Sequence, residues 1–326
     1  MTRLFKRGFE AHLFVWIFAV VAGTLILLFF IRLSFRHIDT ENLLEDRTFI
    51  FDFEQQLRAL STSESVSKVL SFRQPVTLRF DCDFIIGKTY QRKTQDFLFT
   101  PSKLQGASFP VWTHPWEFPF PIASFFYILD KKTKIVLIYD EQSASFVENI
   151  AFPPSFGITL LKIQDFDSEE LADSLSSFST LHLVFFADYR AISNLFDIFL
   201  TQSLHVVRVD LIQQTLTLFD RQSQTSTAYF GDSMLLGAFF APQSYVCLQE
   251  RAVERFFDFV HLYEQKAGLL AGKLATRPEC QAPLLQAQTF LQSIRQQQIA
   301  DLIPAIAVSI TETNRQLLSY DCPALY

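Results

Sequence analysis

The chain has 326 residues, of which 49% are hydrophobic, 15% aromatic and 19% charged. So apolar a chain is not disordered, and its length allows about two compact units. Only nine residues are glycine, fewer than the roughly 7% of average proteins. Neither GxGxxG nor GxxxxGK followed by Ser or Thr occurs, which excludes the common nucleotide-binding loops. Residues 1–10 are basic, so the remainder is more acidic than the net charge of -6, which argues against nucleic acid as a partner.

An uncharged, apolar segment covers residues 11–31. About 20 such residues in a helix, at a rise of about 1.5 Å each, span the roughly 30 Å hydrocarbon layer of a membrane. We predict that residues 11–31 form a transmembrane helix that is kept as a signal anchor. A cleaved signal peptide is one alternative, but it has a shorter apolar region and small residues at its cleavage site, whereas Phe29, Phe30 and Ile31 stand here. A buried core helix is the other alternative.

The charges that flank this segment predict its orientation. Arg3, Lys6 and Arg7 precede it, and Arg32 and Arg36 follow it. Because basic residues concentrate on the cytoplasmic side, the small excess before the segment favours an amino terminus inside and a large domain outside. The prediction is a single-pass protein of the cell membrane that contacts membrane lipid through residues 11–31.

The rest of the chain divides into sections by the spacing of its apolar residues. Helical spacing predicts a short amphipathic stalk helix over 44–60, followed by a Ser-rich linker over 61–67. The predicted sections are a short basic tail (1–10), the transmembrane helix (11–31), stalk helix and linker (32–70), a small β-rich section (71–133), an α/β domain (134–245) and a C-terminal helical section (246–326).

The β-rich section contains the clearest strand pattern. After Pro75, residues 76–84 alternate between apolar and polar, which predicts one strand with Cys82 on its buried face. Shorter strands are predicted at 97–99, 109–112 and 124–129. Prolines between these runs predict that no long regular element forms here. They are Pro101, Pro110, Pro115, Pro119 and Pro121.

From residue 134 onward, short apolar runs alternate with helical patterns, which is typical of βαβ units in a mostly parallel sheet. The predicted strands are 135–139, 158–163 and 181–186, with helices at 144–150, 169–175 and 192–200. An antiparallel hairpin follows at 205–211 and 216–219. The fold class is therefore α/β, with a three-layer domain, and the chain ends in a C-terminal helical hairpin and a last helix after Pro304.

Three stretches resemble uncharacterised single-pass membrane-anchored proteins of archaea. They are residues 6–18, the Trp- and Pro-rich residues 112–120, and Cys322-Pro323 with Tyr326. The resemblance covers the full length and implies the anchored architecture, but it implies no activity, cofactor or partner.

A second resemblance concerns the start of the chain. Arg7-Gly8-Phe9 beside an apolar helix is similar to the leader of a type IV pilin, which is cut after Gly so that Phe becomes the first residue. In that family a Glu stands five residues after the cut, whereas Glu10 stands at the second place here. A pilin-like assembly component is therefore an alternative, and the intact mass of the purified protein tests it.

Four cysteines, Cys82, Cys247, Cys280 and Cys322, are too far apart for a CxxC metal or redox motif. A helix over 249–272 would be about 36 Å long, which separates Cys247 from Cys280. If the chain then turns back twice, Cys322 reaches Cys280 and leaves Cys82 for Cys247. We therefore predict these two disulfides, as expected outside the cytoplasm. Four reduced thiols in a cytoplasmic domain are the alternative.

Acidic residues end the apolar runs of the predicted parallel sheet: Asp140, Asp165, Asp167 and Asp188. The carboxyl ends of parallel strands border the ligand crevice of such sheets, and carboxylates there could hold Mg²⁺ with a phosphate substrate. Asp140 and Asp188 are thus candidate catalytic residues of a phosphoryl-transfer or hydrolytic enzyme. The alternative is that these side chains cap the helices that follow.

Other catalytic templates do not occur in the sequence. The six histidines form neither HExxH nor HxH, and GxSxG is missing, so neither a metal site nor a cofactor is predicted. His182 and His205 adjoin predicted strands and are interpreted as structural residues of the sheet. Ser233 is interpreted as part of a turn or helix cap.

Residues 110–121 combine large rings with four prolines. One hypothesis is a rigid loop that presents Trp112, His114, Trp116 and Phe118 to a partner. The alternative is a strap whose rings fill the core of the β-rich section. Together, these observations predict a membrane-anchored, extracytoplasmic structural or protein-interaction protein with partners in the cell envelope.

Overall fold

The computed structural model describes residues 4–61, 65–189, 192–297 and 303–326, and on the first helix it describes side chains for 15–33 and 43–61. The helices in these ranges are α1 (Leu4–Ser61), α2 (Ala144–Asn149), α3 (Ser168–Ser174), α4 (Ile192–Ile198), α5 (Asp232–Phe240), α6 (Tyr245–Lys273), α7 (Pro278–Gln297) and α8 (Ile303–Ser319). The strands are β1 (Val66–Phe80), β2 (Phe84–Ile86), β3 (Gln91–Lys93), β4 (Phe97–Phe99), β5 (Lys103–Glu117), β6 (Pro121–Ile128), β7 (Thr133–Tyr139), β8 (Thr159–Lys162), β9 (Thr180–Phe185), β10 (Ser203–Asp210), β11 (Thr215–Phe219) and β12 (Gln224–Ala228).

α1 is one helix of 58 residues. Its segment Val15–Leu33 has a mean hydropathy of 2.4, and none of it is buried within the protein, which fits a single-pass membrane anchor. At the other end, Ile50, Phe53 and Leu57 are fully buried against the first sheet. The predicted helix over 44–60 is the last part of α1, because residues 32–43 contain neither Gly nor Pro and the helix continues through them.

The first sheet has the strand order β3-β2-β1-β5-β6-β4, and its neighbours are antiparallel except β4 and β6. β1 corrects the predicted strand over 76–84, because it begins at Val66 and ends at Phe80. The Asp81 carboxylate accepts the Cys82 backbone N–H at 2.8 Å, and backbone bonds between Asp81 and Phe84 close a turn. Cys82 is therefore a half-buried turn residue. Residues 62–64 of the predicted linker lie outside the described residues.

β5 is 15 residues long and contains Pro110 and Pro115, so the prediction that proline prevents long elements is wrong. The Leu129 N–H donates to the Pro110 carbonyl, so the backbone of Pro110 faces the β6 side. β6 ends at Ile128, so Pro110 lies at the end of the β5–β6 ladder. Successive strand residues face opposite neighbours, so Pro115 faces the β1 side, beyond the first residue of β1. Both prolines thus lie where a ladder has ended, which is where sheets tolerate proline.

The second sheet has the order β12-β11-β10-β9-β7-β8. Its strands β8, β7, β9 and β10 are parallel, and β11 and β12 add an antiparallel edge. The predicted α/β fold class is confirmed, while the section boundaries stay predictions. β12 was not predicted, because Gln-Thr-Ser-Thr-Ala has no apolar alternation.

α5 lies between the two sheets. Residues 233–240 are all buried, and the helix contacts β5 and β6 on one side and β9 on the other. A helix that is apolar all round has no amphipathic period, so the sequence pattern does not reveal it. The layers are α1, the first sheet, α5, the second sheet, and α3 with α4.

The C-terminal helices pack against the core that both sheets share with α5. Pro304 is the second residue of α8, in the first turn, where proline costs no helical hydrogen bond. One disulfide joins the C-terminal helices to the turn after β1, and a second joins two segments within the C-terminal part. Cys82 is bonded to Cys247 and Cys280 to Cys322, with Cα–Cα distances of 6.0 and 5.7 Å, and these are the two predicted pairs.

Candidate functional site

The second sheet brings two of the candidate acids to one edge. β8 and β9 flank β7, so the chain reverses its direction of strand addition at β7, and the crevice beyond such a point is where open α/β sheets bind ligands. Asp140 follows β7 and Asp188 lies just beyond the end of β9. Asp188 is exposed. The sequence thus predicted the placement of both acids at the strand ends.

Hydrogen bonds show what Asp140 does in the described structure. Its Oδ1 accepts the Ser143 backbone N–H at 2.9 Å and the Ser143 hydroxyl at 2.7 Å, directly before α2. Burial alone would raise the pKa of Asp140, but the hydrogen bonds from Ser143 outweigh it and lower the pKa. The carboxylate is therefore ionised. Its Oδ1 is already hydrogen-bonded to Ser143, in the turn before α2.

Asp167 is the N-cap residue of α3. Its carboxylate accepts the backbone N–H groups of Glu169 and Glu170 at 2.9 and 3.2 Å, at the start of α3. Asp165 lies in a short turn before it and is exposed. Among the described residues, no group of three or more His, Cys, Asp or Glu side chains is placed to hold a metal ion.

The aromatic residues predicted as a presenting loop belong to β5 and the turn after it. The Trp112 and Trp116 rings are 6% and 1% exposed, and their Nε1–H groups donate to the Ser65 hydroxyl and the Phe230 carbonyl, each at 2.9 Å. Both rings belong to the core, so the interaction hypothesis is wrong for them, because a buried ring has no surface to offer a partner.

His114 and Phe118 are half-buried. The His114 Nδ1 lies 2.9 Å from the hydroxyl of Ser233, in the first turn of α5, and the hydroxyl donates to the Pro115 carbonyl at 2.8 Å. These contacts tie α5 to the first sheet.

His182 lies on β9 and is fully buried. Its Nδ1 lies 2.7 Å from the Phe239 carbonyl in the last turn of α5, and its ring packs edge-on against His205 of β10. Burial lowers the pKa of His182 to about 3, so the ring is neutral at physiological pH. Both histidines are thus sheet residues, and His182 also contacts α5.

A cleft of about 1010 Å³ lies between α1, β1 and the turn that joins β2 to β3. The Phe49 ring of α1 and the Phe72 ring of β1 meet at its base, with centroids 4.7 Å apart. Asp46 joins α1 to the β2–β3 turn, because it accepts the Thr89 backbone N–H at 2.5 Å and the Thr89 hydroxyl at 2.9 Å. Residues 44–52 therefore form one fixed wall of the cleft and residues 71–78 the other.

No protein-family model matches the chain. Neither a curated protein nor a solved structure is significantly similar to it either. The resemblance to archaeal membrane proteins accordingly stays a prediction, and the function has to be argued from the geometry.

Sequence reasoning missed the cleft. Its signal was the acidic residues Glu45, Asp46 and Asp52 beside the apolar stripe of the predicted stalk. The sequence pattern did not predict which strand packs against the predicted helix over 44–60, so these residues had no expected partner. The continuous helix instead places them against β1.

Proposed function

We propose that this protein is a membrane-anchored structural or protein-interaction protein whose domain lies outside the cytoplasm. The observation that carries the proposal is α1, whose apolar part Val15–Leu33 is not buried within the protein while its last three turns belong to the core of the domain. A helix of this kind fixes a folded domain to a bilayer at a set distance, which is the architecture of an anchored binding protein.

The disulfides support the extracytoplasmic placement. Disulfides persist in oxidising compartments and are rare in the cytosol. Cys82–Cys247 closes 165 residues of chain and Cys280–Cys322 closes 42, so both are structural staples of the domain.

Two of the acids that end the predicted strands have structural roles. Asp140 holds the turn before α2, and Asp167 caps α3. This favours binding over catalysis for the domain.

Protease treatment of sealed cells tests the placement. With a tag at each end of the full chain, we expect external protease to remove the C-terminal tag and to leave the N-terminal tag intact. In-cell photo-crosslinking from exposed positions, Ser71 in the cleft and Ile212 far from it, then tests for partners. A protected C-terminal tag, or the lack of any protein adduct from either position, contradicts the proposal.

A metal-dependent phosphoryl-transfer or hydrolytic enzyme is the second candidate, because the reversal point of the second sheet places Asp140 and Asp188 at neighbouring strand ends. Thermal melting of the full chain with and without Mg²⁺ tests it. Stabilisation by Mg²⁺ that Asp188→Asn abolishes would favour the enzyme, and an unchanged melting temperature would dismiss it.

A further inference from the structure

The cleft between α1 and β1 has walls of opposite charge. Glu45 and Asp52 stand exposed on the α1 wall, seven residues apart, which places them on one side of the helix about 10 Å from each other. Arg73 and Lys88 stand exposed on the wall made by β1 and the β2–β3 turn. Within the described part of the chain, no ion pair or hydrogen bond joins any of these four side chains to another group. Asp46, the remaining acid of the cleft, is held by Thr89.

The backbone of β1 is open on the cleft side. β2 pairs with β1 only at Arg79 and Phe80. Thr77 lies opposite Gln105 of β5, and the Gln105 N–H donates to Asp130, away from β1. In an antiparallel ladder, the backbone N–H and carbonyl groups of two opposite residues either point toward each other or both point away. Because those of Gln105 point away from β1, those of Thr77 point away from β5 and toward the cleft.

The open edge does not accept a long added strand. A bulge interrupts the β1–β5 register between Ser71 and Val76, and Pro75 has no N–H. Bulges and prolines are the devices that keep sheet edges from pairing without control. Backbone pairing is therefore limited to the region of Thr77, and side-chain charge has to supply most of the selectivity.

We propose that this cleft binds an extended segment of a partner protein in which basic and acidic side chains alternate. Successive side chains of an extended chain point to opposite sides. Such a segment directs its basic side chains to Glu45 and Asp52 and its acidic side chains to Arg73 and Lys88. The exposed charges of the two walls, which form no ion pair with each other in the described structure, are then both neutralised. The inference rests on the proposed function and gives the chemistry of the partner.

The test uses the full chain in lipid nanodiscs and two fluorescent peptides of eight residues. One alternates Lys and Glu, and the other has the same composition as a block of four Lys followed by four Glu. We expect the alternating peptide to bind and the block peptide to bind at least about tenfold more weakly, because only alternation presents opposite charges to the two walls.

Two double variants test the walls separately, Glu45→Gln with Asp52→Asn, and Arg73→Gln with Lys88→Gln. Each is expected to weaken the alternating peptide about fivefold, the effect of about 1 kcal/mol from two exposed ion pairs. Lys68→Gln is the matched control, because Lys68 is an exposed cation of β1 outside the cleft. It is expected to leave the affinity unchanged, and all variants are to melt at the wild-type temperature.

Four results would overturn the inference: equal binding of both peptides, no binding at about 1 mM, double variants that bind as tightly as wild type, or a Lys68 variant that loses as much affinity as they do. Binding of a short-chain zwitterionic phospholipid to the cleft, with no binding of either peptide, would also overturn it and assign the cleft to lipid. The proposed function is judged separately, by the tag and crosslinking experiments. If the peptide test fails but Ile212 gives protein adducts, the proposed function still stands.

Discussion

Gly237 is the position where a single methyl group tests the layered packing. This glycine lies in α5, between the two sheets, and a Cβ there would lie 2.4, 2.6 and 2.8 Å from three ring atoms of Phe99. Phe99 is fully buried, with the Phe125 and Tyr127 rings at centroid distances of 5.0 and 5.8 Å, so its ring has no free space to move into.

The expected cost of Gly237→Ala follows from two opposing terms. Overpacking a filled core costs about 1–3 kcal/mol, and a methyl group that overlaps three atoms of a tightly packed ring belongs at the upper end. The gain in helix propensity from Gly to Ala returns about 1 kcal/mol. The net loss in the free energy of unfolding is therefore about 2 kcal/mol, which lowers the melting temperature by about 4–8 °C.

Thermal and urea unfolding of the full chain in detergent micelles measure this loss. Gly272→Ala is the matched control, because Gly272 lies near the end of α6 and a methyl group added there would have nothing within 4 Å. It is expected to raise stability by up to about 1 kcal/mol. If Gly237→Ala is as stable as wild type or more stable, α5 does not approach the first sheet as described.

Three further predictions concern His182, the Cys280–Cys322 disulfide and Asp167. Burial lowers the pKa of His182 from 6.5 to about 3, so the unfolded chain binds its proton more tightly. The associated stability is complete above pH 6.5 and is lost as the pH falls toward 3, by about 2 kcal/mol at pH 5. His182→Gln should remove that part of the acid dependence, and an unchanged difference between urea midpoints at pH 7 and pH 5 would contradict it. Replacing both Cys280 and Cys322 by Ser opens a bridge across 42 residues and should cost about 4 kcal/mol in urea unfolding; reduction of the wild type should lower its stability too, and no change in either case would show that the bridge is not formed. Asp167→Ala removes two bonds to the start of α3 and should cost about 1 kcal/mol, whereas Asp167→Ser should retain most of the stability; equal losses would argue against capping.

The predictable parts of the fold are those whose apolar residues form a recognisable run or period. β7 and β9 were found within a residue or two, because buried parallel strands appear as short continuous apolar runs. The disulfide pairs followed from the length of the helix after Cys247 together with the condition that the chain turns back twice beyond it. α5 was missed for the opposite reason, since it is buried on every side and has no polar face to mark its period.

The candidate sites divide in the same way. Asp140 and Asp188 were placed correctly at strand ends, but no sequence pattern reveals that Ser143 occupies the first of them. The prolines of β5 were misleading, because their tolerance depends on where the neighbouring strands end. The cleft needs residues of α1 and β1 to meet, which only the continuous helix makes evident.

The unbroken course of α1 also couples the domain to the thickness of the bilayer. From Leu33, where the apolar segment ends, to Ile50, where the helix enters the core, the chain rises about 25 Å without an interruption. Membrane helices accommodate a thinner or thicker hydrocarbon layer by changing their tilt. A tilt of about 20° carried through this lever shifts the base of the domain sideways by about 9 Å. We therefore expect the lipid composition around the anchor to change the direction in which the domain faces.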